Sequence, residues 1–231
     1  MAALTLSNVD GFYGKARVVQ DVNLAIDFTE TVGLLGRNGV GKTTLLRSIM
    51  NLGPVVKGTI LLNDEDVFSA STAARVRKGI GLMPQGIRVF SGLSVRENYK
   101  VAASAASQPV PLNRILDVIP EVEPLLDRPA GRLSGGQQQL VSLMRSLAGN
   151  CKILLMDEPT EGLMPRMVER IAEVIRSLKE RNIGVLLVEQ NLKLVEAVCD
   201  RLYIMEKGTL AAHGSFGTLK AVGAIEKLIG V

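Results

Sequence analysis

The sequence predicts an α/β fold: a parallel-sheet core, an antiparallel β subdomain ahead of it and a helical subdomain inserted into it. Three observations predict this. A strand-length apolar run, Thr31 to Leu35, leads into a glycine-rich stretch and then into Leu45, Leu46, Ile49 and Met50, spaced as one helix face. Four apolar runs lead into Gly36, Gln85, Asp157 and Gln190. In an open parallel sheet, that carboxyl-terminal edge is where ligands bind. From Gly86 to Pro129 strand formers thin out, and Pro109, Pro111, Pro120, Pro124 and Pro129 punctuate loops and short helices.

A chain of 231 residues can bury a substantial core. Its net charge of +4 comes without long basic blocks, and aromatic residues are few, so nucleic acid is not an expected partner. Cys151 and Cys199 are too few for a disulfide framework and read as buried thiols. No apolar run is long enough to span a bilayer, and the N-terminus lacks the marks of a signal peptide.

Taken in order, residues 1–30 read as short antiparallel strands, with Leu4 and Leu6, then Val22, Leu24 and Ile26, alternating with polar neighbours. Gly11 to Gly14 reads as a turn carrying Phe12 and Tyr13; Tyr13 could stack on an adenine ring or simply pack. Gly36-Arg37-Asn38-Gly39-Val40-Gly41-Lys42-Thr43 fits the phosphate-binding loop Gly, four residues, Gly-Lys-Thr. Glycines there let backbone N–H groups approach phosphates, and the helix that follows adds the positive end of its dipole. Lys42 can reach the β- and γ-phosphates, and the Thr43 hydroxyl can hold Mg²⁺.

Gly58 to Leu62 with a turn at Asn63-Asp64 reads as a strand pair, 71–78 as a short basic helix, and 79–84 as a buried strand ending at Gln85. Ala102 to Pro111 reads as a surface loop. Ser134 with Gln137 three residues on is a capping box, opening a helix through Leu140, Leu143, Met144 and Leu147. That glycine-rich start is either a second anion site or a well-capped structural helix.

Ile153 to Met156 is an apolar strand ending in Asp157-Glu158. Two carboxylates at a buried strand end are costly without work or partners. Asp157 is placed to bind Mg²⁺ through water, and Glu158 to polarise an attacking water. Met167 to Leu178 is an amphipathic helix, Val185 to Val188 a buried strand, and 202–211 a hairpin around Lys207-Gly208. Residues 216–230 read as one short helix, and His213 as a surface residue in a glycine turn.

This set resembles the nucleotide-binding subunit of ATP-binding-cassette (ABC) transporters along the whole chain. Leu133 to Gln137 spells that family's signature, LSGGQ. The resemblance implies a P-loop NTPase with a RecA-like core, residues 1–85 and 146–231, and a helical signature subdomain, residues 86–145. It implies that ATP meets Tyr13, Arg37, Asn38, Gly39 and Gly41, together with Lys42, Thr43, Thr44 and Gln85. Ser134, Gly135, Gly136 and Gln137 would close on ATP held by a second subunit. Thr43, Gln85 and Asp157 would hold Mg²⁺, and Glu158, Lys42 and Gln190 would serve catalysis. The expected partners are transmembrane permease subunits, a second ABC ATPase arranged head to tail and, indirectly, a solute-binding protein. The expected location is the cytoplasmic face of the membrane.

Leu34 to Lys42, Met83 to Gly86, Asp157 to Pro165 and Val188 to Asn191 look like the branch that imports hydrophobic amino acids, which includes the branched-chain amino-acid and urea or short-amide systems. Two positions depart from the wider family: Gln190 replaces the switch histidine, and Met164 the usual aspartate of the D-loop. Glutamine donates a hydrogen bond but cannot take up charge near neutral pH. A soluble ABC ATPase acting on ribosomes or DNA is the alternative, and the single cassette without a heptad array argues against it.

Overall fold

The computed structural model describes residues 3–86 and 89–230. The chain opens with β1 (Leu4–Tyr13) and β2 (Ala16–Ile26), ten and eleven residues long, so the expected short strands are long ones. Their alternation buries Leu4, Leu6, Val22, Leu24 and Ile26, as the period of two predicts. The turn expected at 11–14 is displaced. Gly11 pairs with Val19 on one side and Val56 on the other, which keeps Gly11 to Tyr13 in the strand and moves the turn to Gly14 and Lys15.

Next come β3 (Thr31–Leu35), wholly buried, and α1 (Lys42–Ile49), which buries Leu45, Leu46 and Ile49. Then follow β4 (Val55–Leu62), β5 (Glu65–Asp66) and α2 (Thr72–Lys78). Asn63 and Asp64, both at positive φ, make the β4–β5 turn. Strands β1, β2, β4 and β5 form an antiparallel sheet. The buried Arg75 of α2 donates to the carbonyls of Ser48 and Ile49 at 3.0 and 2.6 Å. It also reaches the carbonyls of Phe68 and Ala70. A cation on these end carbonyls satisfies orphan acceptors and complements the helix dipole, so it anchors α1 from behind.

After β6 (Ile80–Met83) the chain leaves the sheet for α3 (Val95–Ala103), α4 (Leu112–Leu116), two 3₁₀ segments and α5 (Gly135–Leu147). The expected loop at 102–111 starts after Ala103, where α3 ends. The capping box at Ser134 and Gln137 is present, and Leu140, Leu143, Met144 and Leu147 are buried. The chain re-enters the sheet as β7 (Ile153–Asp157), then forms α6 (Pro165–Glu180) and β8 (Gly184–Val188). It closes with α7 (Leu192–Val198), β9 (Arg201–Glu206), β10 (Thr209–Gly214), α8 (Phe216–Ala221) and α9 (Ala224–Ile229).

Helix α7 is not anticipated by the sequence reading. The single terminal helix expected over 216–230 is two, divided at Val222 and Gly223, where Gly223 takes a left-handed φ of 65°. His213 is exposed, as expected, but it lies in β10 and stacks on Tyr203 at 5.8 Å.

The main sheet runs β10-β9-β3-β8-β7-β6, parallel except for β10 at its edge. Both faces are covered. Ile153 and Leu155 of β7 join the core beneath α1 and the antiparallel sheet, while Leu154 and Met156 join the core beneath α5 and α6. That explains why β7 up to Met156, and β8, are apolar rather than alternating. Cys151 and Cys199 are free, and burial pushes both thiols up to about 12, so they stay protonated and inert near neutral pH. Among the described residues no helix is long and apolar enough to cross a membrane.

Candidate functional site

Strands β3, β8, β7 and β6 are parallel neighbours, so their carboxyl ends share one rim. Beyond β3, a Cβ at Gly36 would run into the Met205 carbonyl, so only glycine lets the loop turn there. Gly41, at a φ of 114°, caps α1. A cleft of ≈ 300 Å³ opens at the rim. Asn38, Gly39, Gly41, Lys42, Thr43 and Thr44 line it, facing Gln85, Glu158 and Gln190. Lys42 is 5% exposed, and its Nζ donates to the carbonyls of Gly36 at 2.7 Å and Arg37 at 3.0 Å. Burial pulls its ammonium below the ordinary lysine value, opposed by the nearby Glu158 and Asp157 charges.

Glu158 is the most constrained member. Its φ of 48° is left-handed, and its N–H donates to the Val188 carbonyl at 2.9 Å. Gln190 Nε2 donates to Oε1 at 2.6 Å and Gln85 Nε2 to Oε2 at 3.1 Å. Gln190 Nε2 also donates to Asn38 Oδ1 at 2.9 Å. Amides from two other strand ends thus fix the plane of the carboxylate, and each oxygen keeps a lone pair for a water.

The expected Mg²⁺ ligands pass a test of fit. Asp157 is buried, its Oδ1 has no hydrogen-bond partner, and Thr43, Gln85 and Asp157 line one cleft of ≈ 510 Å³. Burial raises the Asp157 carboxyl above the usual carboxylate range, against the Thr43 hydroxyl that favours its charge. A buried carboxylate with an orphaned oxygen is costly alone, and a divalent cation would relieve it. Asp157→Asn removes the charge and keeps the Thr43 contact. The nucleotide-free variant is expected to melt higher, by about 2–4 °C per kcal/mol relieved. The extra protection that Mg²⁺ gives in the presence of ATP should disappear from its melting curve; unchanged protection would remove Asp157 from the metal site.

Other expected site residues stand apart from the cleft. Tyr13 is 41% exposed, and its ring lies against Gly53, beyond the end of α1. The Arg37 guanidinium packs against Gly230 at the end of α9. Ser134 and Gln137 line a different cleft with Met164 and Met167, and Met164 is 77% exposed. Sequence reading assigned no role to Glu189, Gln139 or Glu161, which touch the same loops. Gln139 Nε2 donates to the Pro159 carbonyl at 2.6 Å, and Gln85 Nε2 also reaches Glu161 Oε2 at 3.2 Å. Only the charge of Glu189 at the end of an apolar strand could have signalled its part.

The profile of the ABC transporter family matches residues 19–161. The chain belongs to the ABC transporter family. It is an ATP-binding subunit of the kind that hydrolyses ATP to power transport. The lipopolysaccharide export system ATP-binding protein LptB of Escherichia coli (strain K12) is 38% identical over 93% of this chain and 91% of its own length. The high-affinity branched-chain amino acid transport ATP-binding protein BraG of Pseudomonas aeruginosa is 33% identical over 94% of each chain. The ADP conformation of a solved ABC transporter cassette superposes with a TM-score of 0.86 at 27% identity, over 99% of this chain and 97% of that one. This ABC cassette is therefore an α/β P-loop NTPase.

Proposed function

We propose that this ABC ATPase powers the uptake of branched-chain or other hydrophobic amino acids, or of a related small solute such as urea or an amide. One observation supports the mechanism above all: the Glu158 carboxylate is held by Gln190 and Gln85 directly across the cleft from the phosphate loop.

ATP binds with its phosphates against the N–H groups of residues 39–44, and Lys42 turns from the loop carbonyls to the β- and γ-phosphates. Thr43, Gln85 and Asp157 would hold Mg²⁺, which would supply positive charge to offset that of the phosphate oxygens. Glu158 accepts a proton from the water whose oxygen attacks the γ-phosphorus; the bond to the β-phosphate oxygen breaks and ADP leaves. Gln190 orients Glu158 and cannot shuttle the proton itself. Ser134 to Gln137 complete the site of a second cassette arranged head to tail. The two work on permease subunits at the cytoplasmic face, fed by a solute-binding protein.

The amino-acid reading rests on Gln190 and on Asp157 to Pro165, which look like that branch. The higher identity to LptB favours a second reading, a part in lipopolysaccharide export. Purification with the associated membrane proteins, followed by an ATPase assay in vesicles, separates the two. Stimulation by a solute-binding protein loaded with leucine supports uptake. Stimulation by lipopolysaccharide supports export, and co-purification with ribosomes or DNA would contradict both.

A further inference from the structure

Glu189 follows the last residue of β8 and is 4% exposed. Its two oxygens divide between two loops. Oε1 accepts from the Thr160 backbone N–H at 3.1 Å and from the Thr160 hydroxyl, both in the loop after β7. Oε2 accepts from the N–H groups of Gln190 at 2.8 Å and Asn191 at 3.0 Å, in the loop after β8. A carboxylate buried this deeply is costly unless its lone pairs are filled, and four donors fill them here. The bridge lies just past the final rung of the ladder, where Asp157 pairs with Val188.

What the bridge spans is the reacting pair. Glu158 and Thr160 are two residues apart on one loop, and Gln190 is the neighbour of Glu189 on the other. A non-glycine residue at positive φ persists only where its surroundings over-determine it. Glu158 is held ahead by Val188 and behind by Thr160 on Glu189, while Gln139 of α5 grips the Pro159 carbonyl between them. We infer that Glu189 is a positioning residue, whose buried carboxylate joins the loops after β7 and β8 and so sets Gln190 against Glu158 for attack by water. This rests on the proposed hydrolytic role of Glu158.

The test separates bridging from mere stability. Glu189→Asp is one methylene shorter; it keeps an acceptor for the Asn191 N–H and loses reach to Thr160. Thr160→Val keeps volume and removes the hydroxyl from the other side of the same bridge. Each is expected to lower kcat about 10- to 100-fold, as a displaced catalytic group would. KM for ATP and ATP-dependent protection in melting should stay near those of the parent. The double variant should be no slower than the slower single, because both cut one connection. Glu158→Gln is assayed beside them. If it loses turnover while Glu189→Asp and Thr160→Val keep parental kcat, the inference about Glu189 fails alone. Losses that multiply in the double variant, or that appear as raised KM, would also overturn it. If Glu158→Gln itself keeps full turnover, the reading of the catalytic site fails instead. Should Glu189→Asp not fold, Thr160→Val carries the same comparison.

Discussion

Glu158→Gln is expected to slow ATP hydrolysis by about 10²–10⁴-fold, the range for losing a general base, while ATP binding stays intact. The substitution is nearly isosteric, so the left-handed turn and the hydrogen bond to Val188 survive. What changes is one oxygen. Gln190 and Gln85 each donate to a carboxylate oxygen; an amide keeps one acceptor and turns a donor toward the other. The variant therefore loses its capacity to accept a proton and one of its two orienting contacts. Gly39, Gly41 and Lys42, which line the other side of the cleft, keep their positions, and Lys42 loses only the nearby charge of Glu158 while that of Asp157 remains. Single-turnover hydrolysis and equilibrium ATP binding, measured on the same preparation, check both halves. Unchanged turnover would remove Glu158 from its role.

Lys42→Ala should act on the other half. Its ammonium is held in the loop by two carbonyls and is poised to exchange them for phosphate oxygens. A hydrogen bond to a charged group is worth about 1.5–3 kcal/mol, so its loss should weaken ATP binding about 10- to 100-fold. The variant also leaves the carbonyls of Gly36 and Arg37 without their partner, so the empty loop should lose order. Isothermal titration with ATP would read the change. An affinity equal to that of the parent would place the phosphates somewhere other than this loop.

Much of this arrangement is legible in the residues because it is local. The spacing from Gly36 to Thr43 requires a loop between a strand and a helix, and the structure supplies both. Ser134 and Gln137 stand three apart because a helix start needs its N–H groups filled, and the capping box fills them. Residues 153–156 and 185–188 are apolar on both faces because both faces of the sheet are covered.

Contacts over long separations are less visible. Gly11 and Phe12 resemble a turn until β4, more than forty residues on, pairs with them. Helix α7 is too short for its apolar spacing to distinguish it from a loop. The break at Gly223 depends on a left-handed φ that glycine permits but does not announce. Glu189 shows its charge in the sequence, yet Thr160, the residue it meets, lies 29 positions away. Only the alignment of β7 beside β8 brings the two together.

The most direct measurement is a crystal structure of the Glu158→Gln variant grown with Mg²⁺ and ATP. The triphosphate should lie against residues 39–44, with Lys42 on its β- and γ-phosphates and the amide of residue 158 within hydrogen-bond reach of a water facing the γ-phosphorus. A triphosphate bound away from that loop, or turned so that residue 158 cannot reach the water, would contradict the proposed site.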